Sequence, residues 1–164
     1  MAHPLPVGVE GYAELVDFDT KDEMGPDALE RLSAVLPEDI KAVELYAPDK
    51  PVKEIAFADY MLEFLYDDGV PEGVLEAFGA ENIPIMKKSK GGVKEVNLRD
   101  SFVSIEVAEQ SEKSITLAAR LDAKNAPINP RYFADALTAA GKAPSFARYA
   151  RKKFIWADEV SSEN

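Results

Sequence analysis

The sequence has no cysteine and a single histidine, His3. The first absence excludes disulfides, thiolate nucleophiles, and zinc or iron–sulfur centres held by cysteine. The second excludes zinc motifs built on paired histidines and leaves a Ser-His-Asp triad only a near-terminal residue to use. No apolar run reaches the roughly 18 residues of a membrane span, and no basic stretch followed by an apolar one opens the chain. The expectation is a cytoplasmic protein with no membrane partner. Positive charge is scarce in the first half: residues 1–82 carry 20 Asp/Glu against 5 Lys/Arg, whereas residues 83–164 carry 10 against 14. Halves so different in charge point to separate structural units, or to surfaces that face different partners.

What is present alternates between strand and helix signals. "YAELVDFD" at 12–19 puts Tyr12, Val16 and Phe18 on one face, "GPDALERLSAVLPEDI" is a helix stopped by Pro37, and "IKAVELYA" at 40–47 is a short strand. A proline-bearing connector follows. "FADYMLEFLYDD" then sets Ala58, Tyr60, Leu62, Phe64 and Tyr66 on one face at period two, and "VPEGVLEAFGA" reads as a short helix. "NIPIMKKSKGGVKEVNL" is a hairpin with its tip at Ser89 to Gly92. Two further strands bury Val103, Ile105 and Val107, and Ile115, Leu117 and Leu121. Asn129 and Pro130 open a helix that ends at Gly141, and "SFARYARKKFIWAD" is the closing strand.

This order predicts an α+β fold: a ferredoxin-like, split-βαβ antiparallel sheet with an added hairpin over residues 51–164. Residues 1–50 read as a partial strand–helix–strand unit, the second half of another ferredoxin-like domain. The strand at 12–19 would then have lost a sheet neighbour, and its exposed edge predicts a homodimer or a partner strand.

"PLPVGVEGYAELVDFD" followed by "ALERLSAVLPEDIKAVEL" resembles the radical-SAM-linked protein family, a bacterial domain of unknown function fused to, or encoded beside, a cobalamin-binding-type radical-SAM protein. "VKEVNLRDSFVSIEV" is similar to that family's lysine-rich hairpin and following strand, and "INPRYFADAL" to its last helix. The resemblance implies a radical-SAM protein as partner and a place in RNA or ribosome maturation. It also implies an upstream strand and helix, so that Met1 reads as a mis-assigned start or the chain as a fragment. The family's Leu-Arg-Pro is Leu98-Arg99-Asp100 here, and no role of that proline carries over.

The residues most able to contact nucleic acid are Lys87, Lys88, Lys90 and Lys94 on the hairpin, Arg99 after it, and Arg148, Arg151 and Lys152 on the last strand, where Tyr149, Phe154 and Trp156 are interleaved. Cations neutralise phosphates and aromatics stack bases. The plainer reading is that lysines blunt a hairpin and an edge strand against aggregation. Arg99 could clamp a phosphate or carboxylate bidentately, or sit in a structural ion pair. Asp17 with Asp19, Asp22 with Glu23, and Asp67 with Asp68 are carboxylate pairs better explained as solvated faces and turns. No catalytic residue and no metal ligand stands out.

Three readings follow. The first is a non-catalytic accessory protein that presents RNA or protein to a radical-SAM enzyme. It carries no cofactor of its own, so that any iron–sulfur cluster or cobalamin belongs to the partner. The second is an RNA-processing enzyme using Arg99 and the lysines, and the third is an acidic module that docks a basic protein.

Overall fold

The computed structural model describes residues 4–12, 14–89 and 91–160; His3 and Lys90 lie outside the described residues. The chain divides into two compact units. Leu15–Lys53 forms one, and His3–Glu14 together with Glu54–Asn164 forms the other.

The larger unit is a mixed α+β structure built on a five-stranded sheet. Its strands are β1 (Val9–Gly11), β2 (Ile55–Leu65), β5 (Phe102–Gln110), β6 (Ser114–Asp122) and β7 (Phe146–Trp156), in the order β1-β7-β2-β6-β5. A separate two-stranded sheet joins β3 (Pro84–Ser89) to β4 (Gly92–Asn97). β6 pairs antiparallel with both β2 and β5, and β2 pairs antiparallel with β7, so β2 and β5 share a direction with β6 between them. That is the interleaving of a split βαβ plan. β1 adds a short parallel pairing at the outer side of β7.

Alternation along β2 gives the sheet its two faces. Ala58, Tyr60, Leu62, Phe64 and Tyr66 are buried on one of them, opposite Ile115, Leu117, Ala119 and Leu121 of β6. Helix α2 (Arg131–Ala139) adds Tyr132, Phe133, Ala136 and Leu137 to this core. Phe133 lies 5.3 Å from Phe78 and 5.5 Å from Phe102, ring centre to ring centre, so three aromatics from distant segments close one end. Asn129 accepts the Arg131 N–H through its side chain, and Gly141 at φ +73° ends the helix, its N–H donating to the Thr138 carbonyl. Only glycine takes that left-handed conformation without strain.

Several expectations are corrected. "VPEGVLEAFGA" holds only a 3₁₀ turn, Glu76–Phe78, because Gly73 at φ +74° and Gly79 bound a segment too short to sustain an α-helix. Val103 and Val107 are exposed, and only Phe102 of β5 is buried. β5 is an edge strand whose register slips between Phe102 and Ser104 and between Val107 and Glu109, and its far half, from Glu106 to Gln110, is exposed.

In the smaller unit the helix forms as α1 (Ala28–Val35), but neither 12–19 nor 40–47 is a strand. No residue from Leu15 to Lys53 is buried, and a strand without a neighbour or a core has nothing to hold it. The unpaired edge expected at 12–19 is therefore absent, and the sheet's edges are β1 and β5. The chain closes in one short helical turn, α3 (Ala157–Val160). Among the described residues, no helix is long and apolar enough to cross a membrane.

Candidate functional site

One extra residue in β7 organises the region around its cations. Asp59 pairs with Lys153 and Tyr60 with Arg151, which leaves Lys152 as a bulge between them. A bulge re-aims the side chains beside it. Arg151 turns toward the core side and is 2% exposed; Lys152 swings out, its Nζ 3.7 Å from the centre of the Tyr12 ring; Lys153 joins the opposite face. Arg151 thus departs from the solvent-facing cluster expected of it.

Burying a guanidinium requires a partner. Glu14 supplies it: Arg151 Nε donates to Glu14 Oε1 at 2.9 Å and Nη2 to Glu14 Oε2, a bidentate pair. Nη1 reaches the Tyr60 hydroxyl at 3.5 Å, and the guanidinium stacks 4.5 Å over Phe154. Burial opposes the charge, but the bonds and charges of Glu14 and Tyr60 together outweigh it and hold the Arg151 pKa above its ordinary value. Burial likewise pushes the Tyr60 phenol above 10.0, with Arg151 pulling against it.

Arg151 and Tyr60 form the floor of a recess of about 300 Å³ walled by Pro4, Pro6, Leu121, Pro127, Ile128 and Phe154. Its rim is the loop after β6. Asp122 Oδ1 accepts the N–H groups of Lys124, Asn125 and Ala126, and Oδ2 accepts from the Asn125 side chain. Burial raises the Asp122 pKa, but those bonds prevail and bring it below the usual 3.8.

The hairpin is fastened beside this rim. Lys87 Nζ donates to the Pro127 carbonyl at 2.8 Å, and the Lys88 N–H donates to the Tyr132 hydroxyl at 2.9 Å. Lys87 and Lys94 are cross-strand partners. At the base, Asn97 Oδ1 accepts the Ile83 N–H at 2.8 Å and the Leu98 N–H donates to the Ile83 carbonyl at 2.8 Å. Lys87, Lys88 and Lys94 stand within 4.0 Å of no described carboxylate; Lys87 and Lys94 share one face of the hairpin and Lys88 takes the other.

The outer face of the sheet differs. Three of its cations are matched: Arg148 with Glu63 at 3.3 Å, and both Arg120 and Lys153 with Asp59, at 2.9 and 3.6 Å, while Lys152 meets the Tyr12 ring. A shallow groove of about 340 Å³ crosses this face beside Ser104, Glu106 and Ala118. Arg99 is also engaged. Its Nη1 donates to the Phe102 carbonyl at 2.8 Å and its guanidinium lies 4.8 Å over the Phe102 ring, so it secures the turn Leu98–Ser101 to β5.

Seven of the eight candidate cations are described, Lys90 being the exception, and they fall into separate groups. Lys87, Lys88 and Lys94 are on the hairpin, Arg99 is on the turn after it, Arg148 lies on the outer face, Arg151 is inside, and Lys152 sits on a tyrosine. Tyr60, Asp122 and Asn129, which line the recess, were not singled out by sequence reasoning. Asp122 carries a readable signal, an aspartate opening a polar turn in "LDAKNAP". Among the described residues, no three His, Cys, Asp or Glu side chains converge to hold a metal ion.

No curated protein matches the chain. Among solved structures, a chain from "Crystal Structure of a Cbf5-Nop10-Gar1 Complex" is similar at 16% identity and a TM-score of 0.44. That likeness covers 66% of this chain and 35% of the other, so this chain spans about a third of its relative's length. A family model matches residues 1–130, which include the hairpin and Arg99 but not β7. By that match the chain belongs to the DUF2344 family, described as an uncharacterized protein conserved in bacteria.

Proposed function

We propose that this chain is a non-catalytic binding protein that holds RNA through the β3–β4 hairpin and serves a radical-SAM enzyme in RNA or ribosome maturation. The observation that carries the reading is the set of unmatched lysines on a braced hairpin. Lys87, Lys88 and Lys94 share one braced hairpin and no described carboxylate pairs with them, whereas Arg120, Arg148 and Lys153 of the outer sheet face are neutralised. Unmatched cations on a braced backbone, one of them held at its ammonium, suit phosphate contacts. The radical-SAM partner comes from the sequence resemblance, and any iron–sulfur cluster or cobalamin belongs to that partner. In this reading the acidic stretch Leu15–Lys53 faces protein rather than RNA.

The test is RNA binding by fluorescence anisotropy, with single-stranded oligonucleotides and ribosomal RNA fragments across a salt series. The combined variant Lys87→Glu, Lys88→Glu and Lys94→Glu should weaken binding at least roughly tenfold. Each lost phosphate contact should also flatten the salt dependence by about 0.7 in slope. Arg148→Glu should have a smaller effect. Unchanged affinity in the triple variant would overturn the hairpin as the contact. Absence of binding to both RNA and the radical-SAM protein by folded wild-type protein would overturn the proposal as a whole.

A further inference from the structure

We infer that the recess floored by Arg151 and Tyr60 accepts one unstacked nucleobase, as a neutral planar heterocycle, from an RNA whose phosphates meet the hairpin lysines. This inference rests on the RNA reading above and adds to it where a base would go.

Four observations support it. The recess, at about 300 Å³, sits at the lower bound of small-molecule pockets, which span roughly 300–1,000 Å³, and so suits a single ring system with little attached. Its walls are Leu121, Pro127, Ile128 and Phe154, flat or aliphatic surfaces that suit an aromatic face.

Its polar groups are few and are set for hydrogen bonding rather than for charge. The Tyr60 oxygen faces the Arg151 N–H, and no described acceptor takes the phenol's own proton, which is free to donate to a base carbonyl or ring nitrogen. Asn129 lines the same space.

The charge balance argues against an anion. Arg151 is already held bidentately by Glu14, and the rim carries a second carboxylate, Asp122. An entering phosphate or carboxylate would meet a guanidinium that is spent and two negative groups nearby.

The mouth supplies the missing cation. Pro127 lines the recess, and its carbonyl accepts Lys87 Nζ, so a lysine stands one residue away from the lining, within reach of the sugar–phosphate of an inserted base.

The experiment has two arms on the full chain. In the first, adenosine and uridine are titrated while NMR resonances of Tyr60, Ile128 and Phe154 are followed. Both nucleosides should shift them, and inorganic phosphate, acetate and benzylammonium should not. In the second, RNA carrying 2-aminopurine is bound. Its fluorescence should rise as the base unstacks, and Ile128→Trp, which fills the recess, should abolish the rise and weaken RNA binding roughly tenfold. Tyr60→Phe should weaken nucleoside binding about fivefold, which keeps the test open if the Trp variant folds poorly.

Nucleosides that leave all three resonances unmoved, or anions or the ammonium compound that move them more strongly, would overturn the inference. The triple lysine variant should lose RNA affinity yet keep the nucleoside shifts. RNA binding without nucleoside shifts therefore sinks the recess alone, and nucleoside shifts without RNA binding sink the RNA reading alone.

Discussion

The Glu14 carboxylate and the Arg151 guanidinium meet fork to fork across 137 positions of sequence, and the pair is asymmetric, with the Arg151 side chain 3% exposed and that of Glu14 31%. Removing the acid takes the carboxylate from a buried charge, whereas removing both leaves no buried ion. Glu14→Gln should therefore cost about 1–3 kcal/mol in urea denaturation, discounted for the exposure of the acid. The double variant Glu14→Gln/Arg151→Met should recover much of that loss. Additive losses in the double variant would mean that the two side chains do not act as a pair.

Tyr149 gives an alkaline signature. Burial, then the nearby Asp135 carboxylate, pushes its phenol up to about 12, and its ring stands edge-on to Phe64 at 6.4 Å. With the folded value above the ordinary 10.0, the stability it contributes is complete below pH 10 and is lost as pH rises toward 12. Thermal melts should show that decline, and Tyr149→Phe should flatten it.

Asp122 gives the opposite signature. Its pKa lies below 3.8 in the folded chain, so its contribution is full above that pH and fades as pH falls below it. Asp122→Ala should cost about 1 kcal/mol at neutral pH, and the gap to wild type should close in acid. Nucleoside-induced shifts should weaken in the same variant, because the rim loop loses the oxygen that three N–H groups share.

Arg99→Ala should lower stability by about 1 kcal/mol through the lost bond to the Phe102 carbonyl, and leave RNA affinity unchanged. A large fall in RNA affinity without loss of stability would restore Arg99 as a contact.

Hydrogen exchange should separate the units. Amides of Leu15–Lys53, where no residue is buried, should exchange well before those of β2 and β6. Equal protection in the two would contradict the burial pattern.

The sheet was largely legible because β2 and β6 each bury one face, and period two survives any local disturbance there. β5 misled because alternation identifies a face without saying whether anything covers it, and this strand lies at the edge. The segment at 12–19 had the same pattern, but past the Tyr12 N–H, which donates to the Arg151 carbonyl, no described residue of it pairs in a sheet. Arg151 is the instructive miss. Counted at period two from Ala147 and Tyr149 it falls on the apolar side, but three successive cations in "ARKKF" read as one solvated run. The recess joins Pro4, Tyr60, Asp122 and Arg151 from four separate segments, and no local pattern announces such a convergence.

The bulge at Lys152 also fixes where β7 can change length. Deleting this one residue would leave Arg151 and Phe154 facing inward and Lys153 outward, since strict alternation would resume across the gap. A deletion between Phe146 and Ala150 would instead invert the facing of every residue on one side of the cut. Lys152 is therefore the strand's natural splice point, where this chain can lose a residue without exchanging the inside of the sheet for its outside.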